Sequence, residues 1–76
     1  MSDRLALTVA QALKIPPERV VEDLSPETCD EWDSMGHFEI VLAVEEAFGV
    51  RFPSHVMTNL TSVARIRREL AAMARR

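Results

Sequence analysis

An aspartate, a serine and a histidine stand close together where the sequence predicts the start of a helix. They are Asp33, Ser34 and His37. A serine hydroxyl can attack a carbonyl or carry a modification, and a histidine three positions later could serve as its base. Asp or Ser at a helix start can also be an ordinary cap, and a single histidine on a helix is commonly solvated or packed. No Gly-x-Ser-x-Gly pattern surrounds Ser34, so we do not interpret it as a hydrolytic nucleophile.

The helix that begins near Ser34 is predicted to carry two apolar faces. It extends to Phe48, where Gly49 ends it as a left-handed cap. When successive residues are placed about 100° apart, one face contains Ile40, Val41, Val44, Ala47 and Phe48. The nearly opposite face, which we call the acid-flanked face, contains Met35, Phe38 and Leu42 with Glu39 and Glu46 beside them. A surface helix of a small domain needs only one apolar face, so the second is either a docking surface or part of a sandwiched core.

Two more long helices and one short turn are predicted around this segment. The first helix is expected from Asp3 to Leu13, capped by Ser2, and the last from Thr61 or Ser62 to Ala74. Ser54 is expected to cap the short turn, which covers residues 55 to 58 or 59. Apolar residues at helical spacing supply the remaining core faces: Leu5, Val9 and Leu13 from the first helix, and Val63, Ile66 and Leu70 from the last.

A long connection separates the first helix from the helix at Ser34. Pro16 and Pro17 end the first helix, and the connection continues to Trp32. Long loops are usually functional or disordered. We expect this one to be ordered, because four apolar side chains can anchor it: Val20, Val21, Leu24 and Trp32. The sequence therefore predicts an all-α fold, a small bundle of three main helices plus one short helix, with a long loop between the first and second helices.

Size and charge limit the function classes that fit this chain. Its 76 residues predict a single domain over positions 1–76, and so small a core leaves little room for a deep active site. The net charge of −3 disfavours nucleic-acid binding. One alternative is nevertheless a DNA-binding bundle in which the segment from Leu60 to Arg68 is the recognition helix. No apolar run is long enough to span a membrane, and we expect no signal peptide. We expect a cytoplasmic monomer that is not an enzyme and binds neither nucleic acid nor membrane; an unmodified adaptor bundle is a second alternative.

The start of the central helix resembles the modification site of a known family. The stretch Asp33-Ser34-Met35, followed by Glu39, Leu42, Ala43, Glu45, Glu46 and Phe48, is similar to the Asp-Ser-Leu motif and second helix of acyl carrier proteins. The length and the flanking helices also match, so the resemblance covers nearly the whole chain. It implies that Ser34 carries 4′-phosphopantetheine on a phosphodiester, and that the thiol of this arm holds acyl groups as thioesters. A helix N-terminus favours such an anion.

The resemblance also implies partners and assigns residues to them. A phosphopantetheinyl transferase would attach the arm, and acyl-activating and acyl-transferring enzymes would use it. Asp33 is implied to help engage the transferase. The implied partner-contact residues are Asp33, Met35, Phe38, Glu39, Leu42 and Glu46. No metal site is predicted. If this segment were a calcium-binding loop with Gly36 at its sixth position, Met35 and Leu42 would fall at ligand positions, and neither side chain has an oxygen that could bind the ion.

Three features depart from the family's pattern. Met35 replaces the leucine after the serine, Trp32 replaces the small residue that often precedes Asp-Ser, and the chain is less acidic than typical carriers of fatty-acid synthesis. We therefore expect a specialised pathway, in secondary metabolism or envelope modification, rather than housekeeping fatty-acid synthesis. An aminoacyl or peptidyl carrier is the alternative, although such carriers usually have a glycine-rich segment before the serine.

Overall fold

A computed structural model describes residues 3–74, which form four α-helices and one 3₁₀ turn. The helices are α1 (Arg4–Leu13), α2 (Ser34–Phe48), α3 (Ser54–Met57) and α4 (Val63–Ala74), and the 3₁₀ turn is Pro17–Arg19. Residues 3–74 contain no β-strand. The predicted all-α fold, with three main helices, one short helix and a long loop before α2, is therefore confirmed.

Both longer N-terminal helices begin at an aspartate cap. The Asp3 carboxylate accepts a hydrogen bond from the Ala6 N–H at 3.3 Å, so α1 is capped by Asp3 rather than by the predicted Ser2, which lies outside the described residues. The Asp33 carboxylate accepts one from the Gly36 N–H at 2.8 Å and caps α2. Gly49 ends α2 with φ 65°, which confirms the predicted left-handed cap.

The two C-terminal helices begin differently from each other. Ser54 is the first helical residue of α3, and Pro53 precedes it without a side-chain hydrogen bond, so the predicted Ser54 cap is wrong. The Ser62 hydroxyl accepts a hydrogen bond from the Arg65 N–H at 3.1 Å at the start of α4. A single turn without a side-chain cap has little stability of its own, so α3 depends on contacts with the rest of the bundle.

The core lies between α1, one face of α2 and α4. The predicted core residues that are buried are Leu5, Val9, Leu13, Ile40, Val41, Val44, Val63 and Ile66. Phe48 and Leu70 are only partly buried and pack at the edge, where the Arg4 guanidinium lies 5.0 Å from the centre of the Phe48 ring. The prediction missed three buried side chains outside the periodic helices: Ile15, Cys29 and Leu60.

The long loop is ordered, as predicted, but by more than apolar anchors. Trp32 and Leu24 are buried, whereas Val21 is 50% exposed and is not the anchor we predicted. The carbonyl groups of Glu22 and Leu24 accept hydrogen bonds from the Ala64 and Val63 N–H groups at 2.9 and 3.2 Å. The loop thereby satisfies backbone donors at the start of α4 that no residue within the helix could satisfy.

Ion pairs tie the same loop to the helices. Arg67 contacts Asp3 at 2.6 Å and Glu22 at 2.7 Å, so one guanidinium joins α4, the start of α1 and the loop. Arg67 holds the pKa of the Asp3 carboxyl below its usual value. Arg19 donates two hydrogen bonds to Glu31, each 3.1 Å long, and lowers the pKa of that carboxyl to about 2. Glu22 thus joins the loop to α4, and Glu31 joins the segment just before Trp32 to the 3₁₀ turn.

Candidate functional site

Ser34 is the first helical residue of α2, and it is exposed. Asp33 precedes it in extended backbone geometry, with one carboxylate oxygen bound to the Gly36 N–H. The N–H groups of Ser34 and Met35 have no hydrogen-bond acceptor within residues 3–74. An exposed hydroxyl therefore lies beside two free backbone donors at the positive end of a helix, a setting that suits an anionic group.

The first turn of α2 packs closely on the loop that precedes it. Gly36 is buried, and a Cβ at this position would overlap the carbonyl oxygen of Glu31 and press on Leu13. The absence of a side chain at Gly36 therefore allows the backbone of α2 to approach the loop, next to Ser34.

His37 lies one helical turn after Ser34 and bridges two other parts of the chain. The Trp32 indole Nε1–H donates a hydrogen bond to His37 Nδ1 at 3.0 Å, and His37 Nε2 lies 2.8 Å from the Met57 carbonyl oxygen. The two ring planes lie within 22° of each other. Both ring nitrogens are therefore engaged, so His37 offers no free lone pair to act as a base toward Ser34.

An open cleft lies beside Ser34. Its lining combines the apolar surfaces of Pro26 and Trp32 with polar side chains from α2 and from the region after α3, in all Pro26, Trp32, Asp33, Ser34, His37, Thr58 and Thr61. Sequence reasoning predicted Trp32 as a loop anchor and did not place Thr58 or Thr61 near Ser34. Those threonines lie between α3 and α4 in the chain, and the packing of these two helices brings them to the side of the bundle where Ser34 lies.

The acid-flanked face of α2 is exposed along its length. Met35, Phe38 and Leu42 are 67, 57 and 47% exposed, respectively, and they account for three of the five large apolar side chains that lie open to solvent within residues 3–74. Glu39 and Glu46 are also exposed, and neither pairs with a cation in that part of the chain. The sandwiched-core alternative is therefore wrong, because residues 3–74 leave about half or more of each of these side chains exposed.

Glu45 has a different role from its acidic neighbours. Its Oε2 accepts a hydrogen bond from the Phe52 N–H at 2.8 Å and holds the connector after α2. This contact seats the Phe52 side chain in the core. Glu45 is therefore a structural residue. Of the acidic residues beside the exposed apolar side chains, Glu39 and Glu46 remain available to contact a partner.

Comparison with characterised proteins places the chain in a family. It is 33% identical over 61 residues to an acyl carrier protein of Thermosynechococcus vestitus, and the match covers 80% of this chain and 75% of that protein. The chain belongs to the acyl carrier protein family. No family model matches the chain. Membership of this family assigns a non-catalytic carrier role in general terms.

Two further observations about this acyl carrier protein family member concern ions and membranes. Within residues 3–74, no three side chains of His, Cys, Asp or Glu cluster closely enough to hold a metal ion. Across the same residues, every helix is too short or too polar to cross a lipid bilayer.

Proposed function

We propose that this protein carries acyl groups as thioesters on a 4′-phosphopantetheine arm attached to Ser34, and that it presents them to partner enzymes. The observation that carries the proposal is the exposed serine at the start of a helix whose second apolar face is also exposed. The residues fit the group, because the free N–H groups of Ser34 and Met35 could receive the phosphodiester oxygens. The arm, when attached, supplies the thiol that holds the acyl group.

The chain itself contributes attachment and presentation rather than catalysis. Both nitrogens of His37 are engaged in hydrogen bonds, so activation of the Ser34 hydroxyl belongs to the transferase. A short flexible tether raises the effective concentration of its cargo to the mM range at each enzyme that the carrier contacts. Weak docking is therefore sufficient, and a carrier must also leave each partner quickly.

The acid-flanked face is the proposed docking surface for the transferase and for the acyl-activating and acyl-transferring enzymes. Its apolar centre consists of Met35, Phe38 and Leu42, and its unpaired acids are Glu39 and Glu46. Apolar area excluded from water gives affinity, and acidic residues at the rim attract partners with basic surfaces. Asp33 lies beside Ser34 and belongs to the part of the surface that the transferase would meet first.

A specialised pathway is supported by charge and by the segment before Ser34. The net charge is −3, and α4 carries Arg65, Arg67 and Arg68. Trp32 is buried, so the segment that leads into Ser34 is anchored in the core and is not a glycine-rich turn. These features favour an acyl cargo outside housekeeping fatty-acid synthesis over an aminoacyl cargo, which is the alternative.

Intact mass after incubation with a phosphopantetheinyl transferase and coenzyme A tests the proposal. We expect the mass of a single phosphopantetheine to be added to the wild type and none to Ser34→Ala. Ser54→Ala is the matched control, because Ser54 is also an exposed first residue of a helix. It should be modified like the wild type.

Two outcomes would contradict the proposed function. Modification that persists in a folded Ser34→Ala protein would place the arm elsewhere. A wild type that is never modified would favour an adaptor that uses the exposed face without any arm.

A further inference from the structure

The hydrogen bonds of His37 link three segments that border Ser34. Trp32 belongs to the loop before α2, His37 to the first turns of α2, and Met57 is the last residue of α3. The two bonds are 3.0 Å and 2.8 Å long. Within residues 3–74, the bond to Met57 is the one side-chain hydrogen bond that joins α2 to α3.

The bridge permits only one tautomer of the neutral imidazole. An indole Nε1–H can donate but cannot accept, so His37 Nδ1 must present its lone pair to Trp32. The proton then resides on Nε2, which donates to the Met57 carbonyl oxygen. One ring thus acts as acceptor toward the loop and as donor toward α3. A side chain at position 37 that cannot both accept from Trp32 and donate to Met57 would therefore lose the link between the loop and α3.

α3 needs such a connection more than the other helices do. It has four residues, its N-cap residue Pro53 makes no side-chain bond, and its apolar side chains Val56 and Met57 are only partly buried. The segment after it supplies Thr58 and Thr61 to the cleft at Ser34. The bond from His37 to Met57 therefore ties α3 directly to the helix that carries Ser34, in addition to the core contacts of Val56 and Met57 and the burial of the flanking Phe52 and Leu60.

We propose that His37 is a positioning residue that holds α3 beside Ser34, and that through α3 it sets the rate at which Ser34 is modified. The ring does not contact the reacting atoms; it fixes the cleft wall that a transferase must fit when it delivers the group. The rate part of this proposal rests on the proposed function, whereas the positioning part does not.

Four variants and one spectrum test the role of His37. His37→Phe keeps a ring of similar volume and loses both hydrogen bonds, while His37→Gln keeps one acceptor and one donor. Ile66→Val is the matched control for stability, since it trims the buried core without touching the bridge. His55→Phe replaces the exposed histidine of α3 and controls for the chemical change itself. Nitrogen NMR of the wild-type imidazole reports which ring atom carries the proton.

The expected results separate positioning from general stability. The proton should reside on Nε2 of His37 in the wild type. Two quantities should change in His37→Phe, each by about two- to tenfold, which is the factor for one net hydrogen bond. They are the rate of amide exchange at Asn59 and Leu60 and the kcat/KM of modification. Exchange should become faster and modification slower. His37→Gln should return both values toward the wild type, and Ile66→Val and His55→Phe should leave both unchanged.

Specific outcomes overturn the proposal. A proton found on Nδ1, or unchanged exchange at Asn59 and Leu60 in His37→Phe, would show that the bridge does not hold α3. Faster exchange with an unchanged kcat/KM would show that α3 does not set the rate. If even the wild type accepts no group, the proposed function has failed, and the exchange data still decide whether His37 positions α3.

Discussion

The two apolar faces of α2 have similar side chains and opposite surroundings. Ile40, Val41 and Val44 are buried against α1 and the rest of the core, whereas Met35, Phe38 and Leu42 are largely exposed and lie outside the core of residues 3–74. Hydrophobicity alone does not distinguish the two faces, because it is the neighbouring helices that cover one of them. An exposed apolar patch contributes little to folding and is available for binding. The buried face should therefore control stability and the exposed face should control partner binding.

Ile40→Ala should give the largest effect on the buried face. The side chain is 0% exposed, so its truncation should cost about 2–5 kcal/mol of the free energy of unfolding. A domain this small has only about 3–5 kcal/mol to lose, so we expect largely unfolded protein by circular dichroism. Ile40→Val, at about 0.5–1.5 kcal/mol, should stay folded with a lower urea midpoint. If Ile40→Ala unfolds at the same urea concentration as the wild type, the buried and exposed faces have been assigned the wrong way round.

Gly36→Ala should give the next largest loss of stability, although helix propensity alone predicts a gain. Alanine is favoured over glycine within a helix by about 1 kcal/mol. At position 36, however, the added Cβ would overlap the Glu31 carbonyl oxygen, so we expect destabilisation of about 1–3 kcal/mol. Gly49→Ala is a useful comparison, since a Cβ there meets no atom and only the left-handed φ of 65° opposes it. Urea unfolding of both variants would measure the two costs, and a stabilised Gly36→Ala protein would disprove the close approach.

The helices and their faces could be predicted because periodicity records burial directly. α2 was predicted to extend from Ser34 to Phe48 and does so, since an aspartate cap and a glycine stop mark its ends. Ile15 and Leu60 were missed because each stands alone in a connection, where no repeating pattern distinguishes a buried side chain from an exposed one. Phe48 and Leu70 have the right spacing but lie at the edge of the core, a property that depends on how long the neighbouring helices are.

The site was predictable only where its residues are neighbours in sequence. Asp33, Ser34 and the acid-flanked face follow from one helix, and the structure places all of them at the surface. The bond from His37 to Met57 joins positions twenty residues apart, and the approach of Glu31 to Gly36 depends on the path of the loop. Such contacts leave no periodic signal. The Arg19–Glu31 and Arg67–Glu22 pairs were hidden for the same reason.

Leu42→Ala should separate the two faces most clearly. The side chain is 47% exposed, so its truncation should change the free energy of unfolding by less than about 0.5 kcal/mol. If the acid-flanked face docks partners, the KM of the transferase should rise, and the rise should depend little on salt. Leu7→Ala is the matched control, because Leu7 is 42% exposed on α1. An unfolded Leu42→Ala protein, or equal effects of the two variants on KM, would contradict a docking role for this face.

Glu39→Lys should give the smallest effect and the one most sensitive to ionic strength. Glu39 is exposed and unpaired within residues 3–74, so folding should be unaffected. Reversal of a rim charge should slow association with a basic partner by at most about fivefold, the usual value of one exposed ion pair. The Debye length falls from about 10 Å at 0.1 M salt to about 3 Å at 1 M, so the difference should vanish across that range in stopped-flow measurements. Glu18→Lys makes the same charge change in the 3₁₀ turn, which is not part of the acid-flanked face, and should have a smaller effect at low salt. If both variants slow association equally, net charge rather than this face steers the partner.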